Sequence, residues 1–387
     1  MLAQAVGYSQ TAFGRAEEDG FADLATRASR GALDAAGVEP EAVQALFLGT
    51  YAGLALGGQG FPAAVVAARL GLGRVPATTL EGACASGSLA FHQAVAAVEA
   101  GVHDVVLVVG AEKMTSASTA EVTKMLASAS DIASDSYRAG LTFPGFFALL
   151  ARRYLYDYGV DAELLADVSV KNRDHGSRNP YAHFQTPVTR DEALGARPIA
   201  EPLRLFDCSP ISDGAAAIVV ASKEWASAHG TERPVDVLAA AQASGPVSAE
   251  ELESFVSLPA VVVAAEKAFT TARLTPNEID VAEVHDCFTI AEWIATEDLG
   301  FFKRGEAAAA TADGATRVEG GLRPINPSGG LLAKGHPVGA TGVAQLIEII
   351  RQIRGESYNQ VAGAELGLAH NVGGTGGLAA ITVLGRG

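Results

Sequence analysis

The sequence predicts an α/β protein built from two pseudo-symmetric halves, with an extra segment inserted in the first half. Three observations predict it: apolar strands alternate with helices, part of the chain repeats itself, and one copy is longer than the other. The chain has 387 residues, more than one simple core usually holds. Apolar residues make up 49% and charged residues 19%, which favours a compact fold over disorder.

The first elements show the alternation. Residues 42–50, AVQALFLGT, form an apolar run of strand length. Residues 84–100, CASGSLAFHQAVAAVEA, predict a helix of small residues, and residues 104–112, DVVLVVGAE, predict a second strand bounded by glycine. Strands and helices joined by short connections in this way are typical of α/β proteins.

The internal repeat defines the halves. Three stretches align with later ones in the same order: 28–49 with 264–285, 84–93 with 336–345, and 214–222 with 377–385. The second alignment places Cys84 opposite His336 and Gly87 opposite Gly339. Such self-similarity indicates a duplicated unit. We therefore predict an N-terminal half over 1–230 and a C-terminal half over 235–387.

The surplus in the first half predicts a separate loop domain. It lies between the strand at 104–112 and the strand that ends at Ser222, and we place the insertion at about 115–205. Inserted loops on a rigid scaffold tend to bind ligands.

Composition excludes several classes of protein. The net charge of −16 argues against a nucleic-acid partner, which needs a basic surface. No apolar run reaches the length of a membrane span. The N-terminal residues lack the layout of a signal peptide. We expect a cytoplasmic protein with neither a nucleic-acid nor a membrane partner.

The cysteines predict a reactive thiol. Cys84, Cys208 and Cys287 lie far apart without a CxxC pair, and the histidines show no HxxxH spacing. This pattern predicts neither a disulfide framework nor a metal site.

Cys84 and His336 are the first candidate catalytic pair. Cys84 begins a predicted helix among small residues, where the helix dipole favours a thiolate and a substrate can approach. His336, in KGHPVGATG, begins the matching helix of the other half. If the halves pack about a pseudo-twofold axis, both helix starts face one site. Histidine is the usual base for a thiol nucleophile.

Two further motifs complete the chemistry. In EVHDCFT, His285 and Cys287 fall at the end of a predicted strand, where α/β proteins place their sites. The glycine-rich HNVGGTGG, residues 370–377, leaves backbone amides free to hold an oxyanion. A thiol, histidines and backbone donors are the groups that an enzyme needs for acyl transfer through a thioester.

These four motifs, in this order over nearly the whole chain, resemble the thiolase superfamily, for which GHPVGATG is highly specific. The resemblance implies a five-layered α-β-α-β-α body and thiolysis of a 3-ketoacyl-CoA, or the reverse Claisen condensation. It implies that Cys84 takes the acyl group and that His336 deprotonates Cys84 and helps to bind the thioester oxygen. The amides of Cys84 and Gly373 would form an oxyanion hole.

The HDCF motif is similar to that of sterol-carrier-protein-type and archaeal-type thiolases. That resemblance implies an acid/base role for Cys287 and an oxyanion-stabilising role for His285. It also implies coenzyme A as co-substrate with no permanently bound cofactor, and a homodimer or dimer of dimers. A small partner with a zinc ribbon and an OB-fold is also implied, the zinc belonging to the partner.

Substrate contacts are less defined by the sequence. Phe143, Phe146 and Phe147 are consistent with a pocket for a bulky or aromatic acyl group, as in benzoylsuccinyl-CoA, or with loop-domain core. The basic run Lys171–Arg178 is either a solvated loop or a site for CoA phosphates, with Lys171 and Arg178 as candidates. Further candidate contacts are Ser209, Ser212 and Asn371.

Three other functions stay open. One is an acetoacetyl-CoA-forming thiolase of a biosynthetic complex. Another is a ketosynthase-like condensing enzyme that uses His336, His285 and Asn371 and has no use for Cys287. The third is a non-catalytic lipid-binding subunit, against which the intact Cys84 and His336 argue.

Overall fold

The computed structural model describes residues 2–387. Within that range the chain forms eleven strands and fourteen α-helices. The strands are β1 (Ala3–Gln10), β2 (Ala45–Gly49), β3 (Ala77–Leu80), β4 (Val105–Glu112), β5 (Pro198–Ala200), β6 (Leu203–Arg204), β7 (Gly214–Ser222), β8 (Val235–Ser244), β9 (Val281–Glu283), β10 (Leu366–Gly373) and β11 (Leu378–Arg386). The helices are α1 (Phe21–Ala36), α2 (Pro62–Leu70), α3 (Ser86–Glu99), α4 (Thr119–Ala127), α5 (Asp135–Arg138), α6 (Phe143–Tyr158), α7 (Leu165–Ser177), α8 (Arg190–Gly195), α9 (Lys223–Ala228), α10 (Pro259–Ala272), α11 (Thr289–Asp298), α12 (Ala307–Ala312), α13 (Gly330–Lys334) and α14 (Val338–Arg354).

The order and direction of the strands reflect the internal sequence repeat. Nine strands run in the order β3-β2-β4-β7-β1-β8-β11-β10-β9. In the first part β2 and β4 are parallel, and β7 is antiparallel to both β4 and β1. In the second part β9 and β10 are parallel, and β11 is antiparallel to both β10 and β8. The pairs among β2, β4, β7 and β1 therefore correspond to those among β9, β10, β11 and β8, in reversed order about the junction of β1 and β8, and β3 has no counterpart in the second part.

The two parts of the sheet are hydrogen-bonded to each other. The junction is short, with only the pairs Gln4–Asp236 and Ala5–Val235. The sequence did not predict this link, because it depends on how the two copies pack. The division of the chain at 230–235 stays a prediction.

Helices form three layers around the two parts of the sheet. α1 packs on β1, β4 and β7, and α10 packs on β8 and β11. α3 and α14 pack against each other between the two parts, and each contacts strands of both. α14 is buried from Val338 to Ile353, on all sides, as a helix in a middle layer must be. The fold is the predicted α/β body with five layers.

Between β4 and β7 the chain forms helices α4 to α8 and the two-stranded sheet of β5 and β6. The basic run Lys171–Arg178 lies almost wholly in α7, with Lys171, Arg173 and His175 buried. The expectation of a solvated loop was wrong, because buried carboxylates from distant parts of the chain surround this helix.

Two predicted boundaries also shift. The strand predicted at 42–50 begins at Ala45, after a 3-10 turn over Pro40–Ala42. The glycine-rich stretch 370–377 is strand as far as Gly373, and only its last four residues form a turn. None of the helices within residues 2–387 combines the length and apolar character that a membrane span requires.

Candidate active site

Cys84 lies in a tight turn at the start of α3. After β3, the residues Ala83–Ala85 form a 3-10 turn that leads directly into the helix. The Ser86 hydroxyl accepts a hydrogen bond from the Gly82 amide (3.0 Å) and donates one to the Ala83 carbonyl (2.6 Å). Ala83 has a φ of 50°, in the left-handed region that a bulkier residue tolerates poorly. The small residues around Cys84 therefore serve the turn as well as substrate access.

His336 lies just before the first turn of α14. Its Nδ1 is 2.7 Å from the Thr341 hydroxyl, which donates its own proton to the Pro337 carbonyl (2.9 Å). The Thr341 oxygen therefore accepts a hydrogen bond from His336, so Nδ1 is protonated and Nε2 has the free lone pair. Nε2 is thus available as a base.

The structure brings Cys84, His285 and His336 together. One ring nitrogen of each histidine and the sulfur of Cys84 all lie within 4.8 Å of one another, and all three side chains are buried. The two histidine rings meet edge to face, with centroids 5.0 Å apart. The repeat predicted that the starts of α3 and α14 face one site, and the geometry agrees.

The close approach of α3 and α14 depends on glycines. A Cβ added at Gly87 would lie 2.5 Å from the Gly339 carbonyl oxygen, and one added at Gly110 would lie 2.4 Å from it. Real Cβ atoms do not approach carbonyl oxygens so closely. Glycine at position 87 lets the starts of α3 and α14, and hence Cys84 and His336, converge, and Gly110 lets the start of α14 approach β4.

The neutral thiol of Cys84 is favoured in the free protein. The pKa of Cys84 is raised to about 12, mainly by burial and to a smaller extent by the nearby Glu112, while a hydrogen bond from the Gly374 backbone amide to the sulfur opposes the rise. The helix dipole favours a thiolate, as the sequence predicts, but burial outweighs it at Cys84. The dipole contributes at most about 2 kcal/mol, whereas removing a charge from water costs several kcal/mol.

The histidines are also neutral. Burial, with a smaller effect of Lys334, lowers the pKa of His336 to about 3. Burial lowers the pKa of His285 well below its ordinary value, and His336 adds to the effect. The site therefore holds a neutral thiol beside a neutral imidazole rather than a resting ion pair.

Cys287 is the second thiol of the site. It is buried in the loop after β9, and its carbonyl accepts a hydrogen bond from the Ser209 amide (3.0 Å). Burial raises the pKa of Cys287 well above its ordinary value, and Cys84 is the next largest cause. The two thiols therefore influence each other electrostatically, and the acid/base role of Cys287 stays a prediction.

A buried network of charges supports the HDCF loop and α13. Asp286 accepts hydrogen bonds from the Leu331 amide (2.7 Å) and from Asn172 (2.7 Å). Lys171 forms an ion pair with Glu292 (2.8 Å), and both are 1% exposed. Lys171 therefore cannot reach CoA phosphates, and its predicted binding role was wrong. Paired charges of this kind cost less to bury than single ones.

Three other predicted contacts have structural partners. Ser212 is buried, and its hydroxyl accepts a hydrogen bond from the His336 amide (3.3 Å). Ser212 therefore fixes the backbone at His336. Asn371 is buried and bonds Nδ1 of His285 (2.9 Å), so it does not line a CoA channel. Phe147 stacks on Phe288 of the HDCF motif with centroids 4.7 Å apart.

The remaining predicted contacts lie near the surface or at a crevice. Arg178 is 43% exposed and pairs with Asp174 at 3.3 Å. Phe143 is half-buried and lines a narrow crevice together with Phe146, Leu141 and Thr375. Thr375 directly follows Gly374, the residue whose amide bonds Cys84. Gly373 lies at the end of β10, and its role in an oxyanion hole stays a prediction.

Glu112 was missed by the sequence reasoning. It ends β4, is fully buried, and accepts hydrogen bonds from the amides of Tyr51 (2.9 Å), Ala52 (3.1 Å) and Gly339 (3.0 Å). It therefore ties the first part of the chain to the start of α14. A charged residue at the end of the apolar run VVLVVGA was the available signal.

The three ligand atoms of Cys84, His285 and His336 also have the spacing that a metal ion requires, and no other such group occurs within residues 2–387. Cysteine and histidine are zinc ligands. Short-range spacings such as CxxC or HxxxH could not predict this cluster, because its three members come from distant motifs.

A buried thiol with a histidine base, a second histidine, a second thiol and a glycine-rich turn define a cysteine-dependent acyltransferase on a duplicated α/β fold. Comparison with known proteins agrees. Residues 4–224 match the family described as thiolase, N-terminal domain, and residues 241–386 match the thiolase C-terminal domain-like family. The chain belongs to the thiolase family.

Several relatives are similar over nearly their full length. The chain is 45% identical over 382 residues to acetyl-CoA acetyltransferase of Methanothermobacter thermautotrophicus, covering 98% of both chains. It is 34% identical to benzoylsuccinyl-CoA thiolase subunit BbsB of Thauera aromatica, covering 95% of this chain and 94% of that one. Among solved structures, the Ltp2-ChsH2(DUF35) aldolase superimposes with a TM-score of 0.84 at 29% identity, covering 100% of this chain and 98% of that one. The protein is a thiolase-family acyltransferase.

Proposed function

We propose that this thiolase cleaves a short 3-ketoacyl-CoA with coenzyme A, or runs the reverse condensation, through an acyl-Cys84 intermediate. The observation that supports it most is the cluster of Cys84, His285 and His336, whose reactive atoms lie within 4.8 Å of one another. Coenzyme A is a co-substrate in this proposal, and no permanently bound cofactor is required.

Acylation begins with proton transfer from the Cys84 thiol to Nε2 of His336. Because Nδ1 of His336 is held by Thr341, Nε2 is the nitrogen that can accept this proton. The sulfur then attacks the 3-keto carbon of the substrate, and a carbon–sulfur bond forms. The backbone amides of Cys84 and of Gly373 or its neighbour Gly374 stabilise the oxyanion that results.

Cleavage of the bond between C2 and C3 follows. The electron pair of that bond becomes an enolate of acetyl-CoA, whose thioester oxygen accepts hydrogen bonds from Nε2 of His285 and from the newly protonated His336. The Cys287 thiol gives its proton to C2, and acetyl-CoA leaves. A neutral Cys287 thiol, with its pKa raised by burial, is the form that this step needs.

Deacylation restores the thiols. The Cys287 thiolate takes the proton of the incoming coenzyme A, whose sulfur attacks the acyl-Cys84 thioester. His336 returns its proton to Cys84 as the carbon–sulfur bond breaks, and the new acyl-CoA is released. Each proton that leaves a residue in acylation is returned in deacylation, so no other acid or base is needed.

A narrow crevice lies beside Thr375, the residue that follows Gly374. Its interior volume is about 10 Å³, about the space one water molecule requires. Phe146 and Phe147 are buried in the adjoining core and leave little room to enlarge it. The crevice would have to widen even for an acetyl group, so the 45% identity to acetyl-CoA acetyltransferase is what supports a short acyl group, as in acetoacetyl-CoA. The similarity to BbsB makes an aromatic 3-ketoacyl-CoA the second candidate.

A partner subunit and a homodimer belong to the same proposal. The similarity to the Ltp2-ChsH2(DUF35) aldolase supports a small DUF35-type partner with a zinc ribbon and an OB-fold. β3 is an edge strand with Thr78 and Thr79 exposed, and an open edge is a ready surface for a second copy. Three free cysteines favour a reducing compartment such as the cytoplasm.

The test is thiolysis of acetoacetyl-CoA and of an aromatic 3-ketoacyl-CoA, by the purified protein alone and with a DUF35-type partner. We expect turnover of acetoacetyl-CoA that Cys84→Ala abolishes. Cys208→Ala is the matched control, because Cys208 is the third cysteine and its thiol bonds the Arg204 carbonyl, outside the cluster of Cys84, His285 and His336. A Cys84→Ala protein as active as the wild type would refute the proposal.

A further inference from the structure

A chain of side-chain amides leads from the backbone of β10 to His285. Gln345 of α14 donates from Nε2 to the His370 carbonyl (3.0 Å). Its Oε1 accepts from Nδ2 of Asn371 (3.0 Å), and the same Nδ2 lies 2.9 Å from Nδ1 of His285. Gln345, His370 and Asn371 are each at most 1% exposed.

The orientation of both amides follows from one fixed group. The His370 carbonyl can only accept, so the group of Gln345 that faces it must be the NH₂. The Gln345 oxygen then faces Asn371, which must present its own NH₂. Turning either amide around would place two oxygens about 3 Å apart with no proton between them.

We propose that Gln345 and Asn371 are positioning residues that fix His285 in the tautomer with the proton on Nε2. Because Asn371 donates to Nδ1, that nitrogen must hold the lone pair, and Nε2–H is left as a donor toward Cys84 and His336. This inference rests on the proposed function, in which His285 stabilises a substrate oxygen. It adds the two residues that make His285 a donor.

The two histidines of the site therefore have opposite tautomers. Thr341 holds the proton of His336 on Nδ1, which makes Nε2 a base. Asn371 keeps the lone pair of His285 on Nδ1, which makes Nε2–H a hydrogen-bond donor. Two rings that are chemically alike thus become a proton acceptor and a hydrogen-bond donor, each because of one neighbouring polar side chain.

The same arrangement weakens metal binding. A zinc ion between Cys84, His285 and His336 would need the lone pair of His285 Nε2, which the Asn371 hydrogen bond places on Nδ1 instead. A carboxylate in place of Asn371 would accept from Nδ1–H and free Nε2 as a ligand, the arrangement found around zinc-binding histidines. With Asn371 in place, we therefore expect the cluster to bind a metal ion less tightly than it would with a carboxylate there.

The direct test is the tautomer of His285 in the intact protein. Nitrogen-15 NMR of ¹⁵N-histidine-labelled protein, with His285→Asn used to assign the signal, distinguishes the two neutral forms. We expect His285 to have the proton on Nε2 in the wild type and on Nδ1 in Asn371→Asp. A wild-type His285 with the proton on Nδ1 would overturn the inference without any variant of the amide chain.

Kinetics provide the second readout. Asn371→Asp should lower kcat on the order of 100-fold, the usual effect of losing one oxyanion donor. The new carboxylate should also slow the alkylation of Cys84 by iodoacetamide, because a nearby negative charge raises the pKa of the thiol, as Glu112 does. Zinc ions should inhibit that variant at lower concentration than the wild type. Unchanged kcat and unchanged zinc sensitivity in a folded variant would overturn the inference.

Gln345→Met tests the first link without adding a charge. Asn371 loses its acceptor and can turn, so His285 should show both tautomers and kcat should fall less than in Asn371→Asp. Gln352→Met is the matched control, since Gln352 is buried two turns further along α14 and bonds Ser357 and Asn359. Equal loss in both variants would mean a merely structural effect and would overturn the role of Gln345. If the wild type shows no thiolase activity, the proposed function fails while the tautomer test still stands.

Discussion

At the scale of single residues, the chemistry of Cys84 is set by burial. The helix start, the Gly374 amide and the small neighbours all favour a thiolate, yet the loss of water outweighs them and raises the pKa to about 12. A neutral thiol beside a neutral His336 resists oxidation and stray alkylation. The thiolate then forms as its proton moves to His336 during attack.

This balance predicts the pH dependence of alkylation. In the free enzyme the reactive thiolate is scarce below the pKa of Cys84 and increases with pH. The rate of Cys84 alkylation by iodoacetamide should therefore rise continuously from about pH 6 to about pH 10. Peptide mass spectrometry would follow Cys84 separately from Cys208. A plateau that begins near pH 7 would instead indicate a resting thiolate–imidazolium pair.

The sequence predicted the reactive residues but not their supports. The repeat related Cys84 to His336, and the HDCF motif identified His285 and Cys287. Glu112 and Gln345 were missed because their partners are fixed only by the packing of distant elements. Thr341 was missed although its partners, His336 and Pro337, lie in the same motif. A glutamine inside an apolar helix has no signature until the carbonyl it faces is known.

At the scale of elements, the site depends on how closely α3 and α14 approach. Cys84 and His336 lie at the starts of these helices, and Gly87 and Gly339 lie where they touch. The repeat placed these two glycines opposite each other in sequence. In the structure that relation is a direct contact between the two copies.

Gly87→Ala should therefore impair both stability and activity. The added methyl group would meet the Gly339 carbonyl at 2.5 Å, and such overpacking typically costs about 1–3 kcal/mol. Urea unfolding should show a lower free energy of unfolding, and kcat should fall because Cys84 and His336 move apart. Gly195→Ala is the control, since no atom lies within 4 Å of a Cβ there. A Gly87→Ala protein with unchanged kcat would contradict this explanation.

α7 shows why local charge patterns mislead. Its basic run suggested a solvated loop or a phosphate site. The ion-pair partner of Lys171, Glu292, lies more than a hundred residues away in the sequence and becomes its neighbour only on folding. Short-range patterns predict element type well, but they do not show which charges a fold will bury.

At the scale of the whole molecule, α3 and α14 form one middle layer shared by both parts of the sheet. Each helix contacts strands of both parts, and β1 pairs with β8 across the junction. The alternation of strands and helices, the repeat and the inserted segment were all predictable from the sequence. The hydrogen-bonded junction between β1 and β8 was not predictable, because the sequence of a strand does not show which strand of the other copy will pair with it.

The shared layer predicts that the halves do not fold separately. A fragment of residues 1–230 lacks α14 and would expose the apolar face of α3 and of β4. Circular dichroism should show no cooperative unfolding for the fragment, whereas the full chain should unfold cooperatively. A fragment with a sharp transition and native-like secondary structure would show that each half is an independent folding unit.

The central claim is that Cys84 accepts the acyl group with His336 as its base. The most direct measurement is the mass of the intact protein, and of its Cys84 peptide, after brief incubation with acetyl-CoA and rapid quenching. We predict a mass increase of one acetyl group on Cys84, absent in Cys84→Ala and slower to form in His336→Ala. An unmodified Cys84 in a protein that turns over 3-ketoacyl-CoA, or an equal acetyl adduct in Cys84→Ala, would contradict the account.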